Sequence, residues 1–292
     1  MLLVITACSA PPPTDGRLPV VVSFYPLQFV AERVGGDKVA VSNLTTPGAE
    51  PHDLELTAKQ VASLTRASLV VYQKGFQPAV DSAVADERPR RVLDVSTVVP
   101  LHEHETGDDE GGAHGHDHQG GDPHTWLDPS AMVAYATAVA DALSAADPGH
   151  AGEYRQRADA LVAELRDLDR AYADGLRTCD RRVFVTSHAA FGYLAERYDL
   201  EQVGIAGLEP GTEPSPARIA EVQRIVRERH VTTIFYETLA SPKVAETMAR
   251  DLGVKTDVLD PVEGLTPSSR GSDYLEVMRS NLAALKEANG CR

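Results

Sequence analysis

Short apolar runs alternate with longer amphipathic segments through the first third of the chain. The apolar runs predict buried β-strands, and segments with apolar residues at three- and four-residue steps predict helices. The predicted strands are residues 18–24, 39–44, 69–72 and 92–95, and the predicted helices are residues 26–34 and 53–67. This alternation is typical of βα units around a parallel sheet.

A second series of the same kind follows residues 153–174, a segment without proline or glycine. Apolar residues recur along it from Tyr154 to Tyr172 and predict a single amphipathic helix about 30 Å long. The predicted strands beyond it are residues 183–187, 231–236 and 256–259, and the other predicted helices are residues 130–145, 190–198, 219–228 and 244–252. We therefore predict an α/β fold in which two similar lobes, each a parallel sheet flanked by helices, are joined by one long rigid helix.

The second half of the sequence repeats the first at a constant offset of 164 residues. The offset pairs Tyr72 with Tyr236, and it pairs residues 31–33 with residues 195–197, which are both Ala-Glu-Arg. Because the matching residues keep the same offset over several strand–helix units, we predict two lobes with a cleft between them. The predicted parts are residues 1–17 (signal remnant and tether), 18–150 (N-terminal lobe), 151–178 (linking helix) and 179–292 (C-terminal lobe).

The first eight residues, MLLVITAC, resemble the end of an apolar export signal that closes in a lipobox, with Cys8 as the lipidated residue. We expect a truncated signal, because no basic segment precedes the apolar run, and a tether in the proline-rich residues 9–16. The two remaining cysteines, Cys179 and Cys291, are predicted to form a disulfide in an exported protein. No run of 18 apolar residues is present, so the sequence predicts no transmembrane helix.

The charge balance narrows the classes of partner. Acidic residues number 43 against 28 basic ones, which gives a net charge of −15. Nucleic-acid binding needs a basic face, so we predict no nucleic-acid partner. An acidic surface is compatible with attracting cations, although it is also an ordinary device for solubility.

Three histidines and a glutamate stand where ligand-binding residues are expected in parallel α/β sheets, beyond the carboxyl ends of strands. His52 lies between a predicted strand and a helix, His124 precedes a helix, His188 closes a strand, and Glu263 follows one. Three imidazoles and one carboxylate form a set that suits tetrahedral Zn²⁺, whereas manganese sites favour carboxylate and water. Copper and nickel also accept imidazole, so the residue types alone leave these metals open.

More than one carboxylate is a candidate for the fourth ligand. Glu263 is our prediction, but Asp260 is close to it in sequence, Glu237 ends a predicted strand, and Glu50 is near His52. Each of these other carboxylates could instead accept a hydrogen bond from the second ring nitrogen of a ligating histidine.

A segment rich in histidine, residues 102–123, separates the predicted strands from the next helix. It contains no apolar residue that could anchor it, so we predict a mobile loop. Its histidines could collect zinc weakly and pass it to the cleft, or the segment could be a dispensable insertion. These auxiliary metal-binding candidates are His102, His104, His114, His116 and His118.

Several longer motifs carry a specific family resemblance. They are GAEPHD (residues 48–53), PHTWLDP (123–129), TSHAAFGY (186–193), SPKVAET (241–247) and EGLT (263–266). With these motifs in this order, the chain resembles the zinc-binding ZnuA/TroA-like solute receptors of bacterial ATP-driven metal importers (cluster A-I). The resemblance implies two α/β lobes bridged by a long helix, with the metal buried between them.

The resemblance also implies which residues bind the metal. The family's ligands fall on His52, His124 and His188, and its variable fourth position points here to Glu263. Manganese-preferring relatives tend to carry glutamate where this chain has His188, and the histidine-rich segment before His124 resembles the zinc branch.

We therefore expect a monomeric, lipid-anchored, extracytoplasmic receptor that delivers Zn²⁺ to the membrane permease of an ABC importer, and not an enzyme. The alternatives are a manganese receptor of the same family, a zinc-dependent hydrolase, and an adhesin or zinc-storage protein. The hydrolase is disfavoured because no His-Glu-x-x-His segment occurs and four protein donors leave no position for water. Affinity is expected to fall below about pH 6, near the ordinary histidine pKa.

Overall fold

The computed structural model describes residues 16–104 and 121–292. In this part of the chain the strands form two four-stranded sheets, and every pairing is parallel. The first sheet, in the order β2-β1-β3-β4, consists of β1 (Leu18–Val22), β2 (Val39–Asn43), β3 (Leu69–Tyr72) and β4 (Val92–Asp94). The second, in the order β6-β5-β7-β8, consists of β5 (Val183–Thr186), β6 (Glu201–Gly204), β7 (Thr233–Tyr236) and β8 (Lys255–Val258). The predicted fold class is confirmed.

Helices cover the two sheets. They are α1 (Tyr25–Gly35), α2 (Ala58–Arg66), α3 (Pro78–Glu87), α4 (Pro129–Ala146), α5 (Ala151–Gly175), α6 (Gly192–Arg197), α7 (Pro216–Glu228), α8 (Lys243–Leu252) and α9 (Tyr274–Asn289). Short 3₁₀ turns occur at Gly36–Lys38, Val95–Thr97, Thr125–Leu127 and Pro148–His150. The two sheets have the same strand order, and a shift of 164 residues carries β3 onto β7, so the internal repeat of the sequence is also a repeat of topology.

Three elements have no counterpart in the sequence prediction: α3, β6 and α9. The predicted helix at residues 53–67 also begins too early, because α2 starts only at Ala58. Thr57 caps it: its hydroxyl accepts from the N–H of Gln60, and the Gln60 side chain accepts from the N–H of Thr57. Residues 53–57 are thereby left as a turn that continues from His52.

The long helix α5 joins the lobes and is buried along one face. It has 25 residues, a length of about 37 Å. Tyr154, Leu161 and Leu168 are fully buried in a continuous core that also contains residues of β1 and β5. The helix packs on α1 and α4 on one side and on α9 on the other, where the Tyr172 hydroxyl donates to the Met278 carbonyl at 2.6 Å. Packing against both lobes makes this connection stiff.

A disulfide joins Cys179 to Cys291 across 112 residues, as the cysteine count predicted. It ties the chain just after α5 to the residue that follows α9. Cys8, His114, His116 and His118 lie outside the described residues, and the domain boundaries at 150 and 178 stay predictions. Among the described residues, none of the helices combines the length and apolar character needed to cross a bilayer.

Candidate metal centre

Four side chains converge between the two sheets: His52, His124, His188 and Glu263. Each offers one ligand atom, and these atoms all lie within 4.8 Å of one another. Oε1 of Glu263 lies 3.3 Å from Nε2 of His52, 3.3 Å from Nε2 of His124 and 3.5 Å from Nε2 of His188. His52 is the most accessible of the four, with 8% of its side chain exposed. The sequence-predicted set is therefore brought together in one buried place.

His52 is carried by the turn that runs from β2 to α2. Its backbone N–H donates to Oε1 of Glu50 at 3.2 Å, and its ring meets the ring of Phe76 edge-on at 4.8 Å. Burial, and then the negative charge of Glu263, raise the pKa of Glu50 to about 8. Glu50 thus shapes the turn of His52 and remains close enough to the centre to respond to its charge.

His124 is held by Asp122, two residues before it. Oδ1 of Asp122 accepts from both the backbone N–H of His124 (2.9 Å) and its Nδ1 (2.7 Å). This fixes the ring so that Nε2 points to the centre. The side-chain amide of Gln73, just after β3, donates to the carbonyl of Pro123 and supports the same turn. Sequence reasoning missed both residues, although Asp122 immediately precedes the PHTWLDP motif.

His188 follows β5 and is held by Glu237, just after β7. Nδ1 of His188 donates to Oε1 of Glu237 at 2.9 Å, and the Ser187 hydroxyl donates to the same oxygen at 2.7 Å. Glu237 is therefore the hydrogen-bond partner of a candidate ligand and does not belong to the four-residue group. The offset of 164 pairs it with Gln73, so the residue after the third strand supports a histidine turn in each lobe.

Glu263 is presented by a strained turn after β8. Val262, just before it, has a φ of 57°, which is rare for a β-branched residue and costs about 1–3 kcal/mol. Asp260 holds this turn: Oδ1 accepts from the N–H of Val262 at 2.8 Å, and Oδ2 accepts from the hydroxyls of Thr238 and Ser269. Asp260, the other alternative fourth ligand, thus shapes the turn and lies outside the group.

Trp126 connects the turn of His124 to the turn of Glu263. Its indole N–H donates to the carbonyl of Pro261 at 2.8 Å, and its own carbonyl accepts from the Tyr274 hydroxyl at 2.7 Å. Its ring packs 5.2 Å from the ring of His124 and is fully buried. Ligand-bearing turns from the two lobes are therefore fixed to each other independently of any ion.

The centre is a cluster of opposed charges. Burial by itself lowers the pKa of His124, but the charge of Asp122, the hydrogen bond to Asp122 and the nearby Glu263 carboxylate raise it above its ordinary value. Burial by itself also lowers the pKa of His188, but the charge of Glu237, and then that of Glu263, raise this pKa well above 6.5. Burial favours a raised pKa for Glu263, but the charge of His52 and the closeness of the other two imidazoles hold it well below its ordinary value.

Several atoms that face the centre lack a hydrogen bond. Nε2 of His124, Nε2 of His188 and Oε2 of Glu263 are buried and have no hydrogen-bond partner among the described residues. A buried polar atom without a partner costs about 1–3 kcal/mol, so a group of them needs an explanation. Three imidazole nitrogens and a carboxylate around one point match the coordination of zinc, with all four tetrahedral positions supplied by protein.

His102 and His104 lie apart from this group, at the start of the histidine-rich segment. Nδ1 of His104 donates to Oδ2 of Asp122 at 2.8 Å, its ring lies 4.5 Å from that of Tyr193, and the N–H of His102 donates to the Tyr193 hydroxyl at 2.7 Å. The prediction that nothing anchors residues 102–123 is therefore wrong for residues 102–104. It considered only apolar anchors, whereas hydrogen bonds and an aromatic ring hold these residues.

Comparisons with known proteins identify the family of the chain. A family model described as "Zinc-uptake complex component A periplasmic", ZnuA, matches residues 20–288. The chain is 38% identical over 293 residues to the zinc-binding lipoprotein AdcA of Streptococcus pneumoniae strain R6, a match covering 98% of this chain and 58% of AdcA. It is 35% identical over 283 residues to the high-affinity zinc uptake system protein ZnuA of Bacillus subtilis, covering 93% of this chain and 88% of that protein.

A solved structure resembles the fold as a whole. The crystal structure of Zn(II)-bound AdcA from Streptococcus pneumoniae superposes with a TM-score of 0.80 at 36% identity, covering 94% of this chain and 58% of that one. The chain thus spans a little over half the length of the AdcA proteins. Because the family model extends over nearly the whole of both lobes, the chain belongs to the ZnuA family of periplasmic zinc-uptake components.

Proposed function

We propose that the chain binds one Zn²⁺ between its lobes, outside the cytoplasmic membrane, and delivers the ion to the permease of an ABC importer. The ligands are His52, His124, His188 and Glu263. The observation that carries the proposal is the convergence of three imidazole nitrogens on one buried carboxylate, two of these nitrogens lacking hydrogen-bond partners in the described part of the chain. The names of the relatives, a zinc-binding lipoprotein and a zinc-uptake protein, support the same metal.

Binding the ion couples the lobes at the centre. His52 and His124 come from the first lobe, and His188 and Glu263 come from the second. The core continues through both lobes, and Trp126 already links two of the ligand turns. Loading and release therefore proceed through local movement of turns, since wide opening of the cleft would disrupt this core.

Lipidation of Cys8 would hold the receptor at the outer face of the membrane, which agrees with the word lipoprotein in a relative's name. We propose that the receptor acts as a monomer. We also propose that it carries out no catalysis, because four protein donors fill the coordination sphere and leave no position for a reactive water.

The number and identity of the bound metal ions test the proposal. Native mass spectrometry with metal analysis is expected to find one tightly held zinc per chain, which excess manganese does not displace. A zinc-storage protein would hold several ions tightly, a manganese receptor would be isolated with manganese in place of zinc, and a hydrolase would turn over ester or peptide substrates. Any of these results would contradict the proposed function.

Zinc binding is expected to release protons and to strengthen as the pH rises. Nε2 can donate its lone pair to the metal only when it is unprotonated, and the pKa values of His124 and His188 are raised. Protons therefore compete with zinc up to the raised pKa of His188, and the loss of affinity begins above the pH near 6 that the ordinary histidine pKa suggested. Calorimetric titration near pH 7 in buffers of different ionisation enthalpy should show release of about one proton or more per ion. Heats that are independent of the buffer would contradict this expectation.

A further inference from the structure

The centre is enclosed, so an ion needs a route to it. A cavity of about 510 Å³ beside it is lined by Glu50, Ser187 and Glu237 together with the loop at residues 210–214 and the start of α8. A smaller cavity, of about 190 Å³, also reaches the centre, and among its described lining residues Glu263 itself is the one carboxylate. The larger cavity therefore adds carboxylates to the approach, whereas the smaller one adds none.

Each of the two carboxylates in the larger cavity uses one oxygen to hold a ligand turn. Oε1 of Glu50 accepts the N–H of His52 at 3.2 Å. Oε1 of Glu237 accepts from Nδ1 of His188 and from the Ser187 hydroxyl. The second oxygen of each, Oε2, is buried and has no hydrogen-bond partner in residues 16–104 and 121–292.

Glu237 makes this more than a cluster of acidic residues. It is 3% exposed, and a buried carboxylate oxygen without a partner is unfavourable by about 1–3 kcal/mol or more. Two such oxygens, contributed by different lobes to the wall of one cavity, are explained if a cation is their partner. Glu213 adds a third acidic side chain to the lining against one basic side chain, Lys243, so acidic groups predominate there.

We propose that Oε2 of Glu50 and Oε2 of Glu237 form a transit site, at which a partly hydrated divalent cation pauses between solvent and the four-ligand centre. This inference rests on the proposed zinc binding and adds the route. Two carboxylate oxygens with water suit a cation that must still leave, because the site lacks the imidazoles that hold zinc tightly. Glu50 accepts a hydrogen bond from His52 and Glu237 accepts one from His188, so an ion at the transit site lies beside both histidines.

Zinc association kinetics test the transit site. Metal-free full-length chain is mixed with Zn²⁺ in a stopped-flow instrument, with the fluorescence of the single tryptophan, Trp126, as the signal. The test variant is Glu50→Gln, which keeps the shape of the side chain and replaces the carboxyl oxygen that would bind the cation with an amide nitrogen, which cannot. The matched control is Glu55→Gln, the same replacement at a nearby exposed position that does not line the cavity.

We expect association of zinc with Glu50→Gln to be about tenfold slower, within the range by which negative clefts accelerate cation capture. Dissociation into excess chelator should be no faster than in the wild type, and Glu55→Gln should behave like the wild type. An association rate within about threefold of the control, or a loss of affinity carried by faster dissociation, would overturn the transit site while leaving the zinc centre intact.

Two further outcomes are also decisive. If Glu50→Gln does not fold, as judged by circular dichroism, Glu50→Asp replaces it; a shortened carboxylate should slow association with no faster dissociation, and unchanged association would overturn the proposal. If the wild type itself binds no zinc, the proposed function fails and the transit site fails with it. The two failures are therefore distinguishable.

Discussion

Replacing His188 by alanine is expected to weaken zinc binding by about a thousandfold. The change removes one of three imidazole donors, and it also leaves Glu237, which is 3% exposed, without the ring that its Oε1 accepts from. Loss of the hydrogen-bond partner of a ligating histidine usually costs about 10- to 100-fold in metal affinity, so loss of the ligand itself should cost more, about a thousandfold. Competition between the protein and a chelator of known affinity measures the change.

His150→Ala is the matched control for this experiment. Nδ1 of His150 also donates to a carboxylate, Asp147, at 2.7 Å. Its side chain is 41% exposed, however, and His150 does not belong to the four-residue group. Asp147 keeps a second partner in the Tyr154 hydroxyl, so little is left unsatisfied. Zinc affinity should stay within about twofold of the wild type, because exposed pairs contribute little. A His188→Ala protein that binds zinc as tightly as this control would contradict the proposed ligand set.

The positions of the candidate ligands could be predicted because they follow a general property of parallel sheets. His188 directly follows a strand, and Glu263 comes shortly after one, at the carboxyl edge where side chains from neighbouring strands meet. His52 and His124 lie in turns rich in proline, which cannot continue a helix or a central strand. The positions of the ligands could therefore be predicted from the sequence, although the identity of the fourth ligand stayed open.

The partners of those ligands could not be predicted in the same way. Glu237 is 49 residues from His188 in the chain, and its role depends on β5 and β7 being neighbours in the sheet. Sequence alone placed Glu237 at the end of a strand, where it could equally have been a ligand. The anchoring of His104 on Asp122 and Tyr193 likewise depends on α6 lying beside the turn of His124.

Missed elements have local causes. Strand β6, Glu201–Gly204, is four residues long and half polar, so it shows no apolar run; its place is set by pairing with β5. The start of α2 is decided by the cap at Thr57, which competes with the apolar pattern that suggested an earlier start. In both cases hydrogen bonds determined what side-chain periodicity alone could not.

The second large effect is expected at Glu263, which the structure favours over Asp260 and Glu237 as the fourth ligand. Glu263→Gln keeps the side-chain shape and removes the charge that lies within 3.5 Å of all three Nε2 atoms. A unit charge at about 4 Å is worth about 4 kcal/mol at the effective dielectric of protein sites, so zinc affinity should fall by about a thousandfold. The same chelator competition measures it.

The order of the three carboxylate variants then identifies the fourth ligand. Glu237→Gln should cost about 10- to 100-fold, as is usual for the partner of a ligating histidine, because the ring of His188 keeps a neutral acceptor. Asp260→Asn acts on zinc only through the turn of Val262, so it should lower the melting temperature of the metal-free protein as well as its affinity. Glu263→Gln should lower affinity most, with little loss of metal-free stability relative to Asp260→Asn. If either of the other variants weakened zinc binding more than Glu263→Gln, that carboxylate would take its place in the coordination sphere.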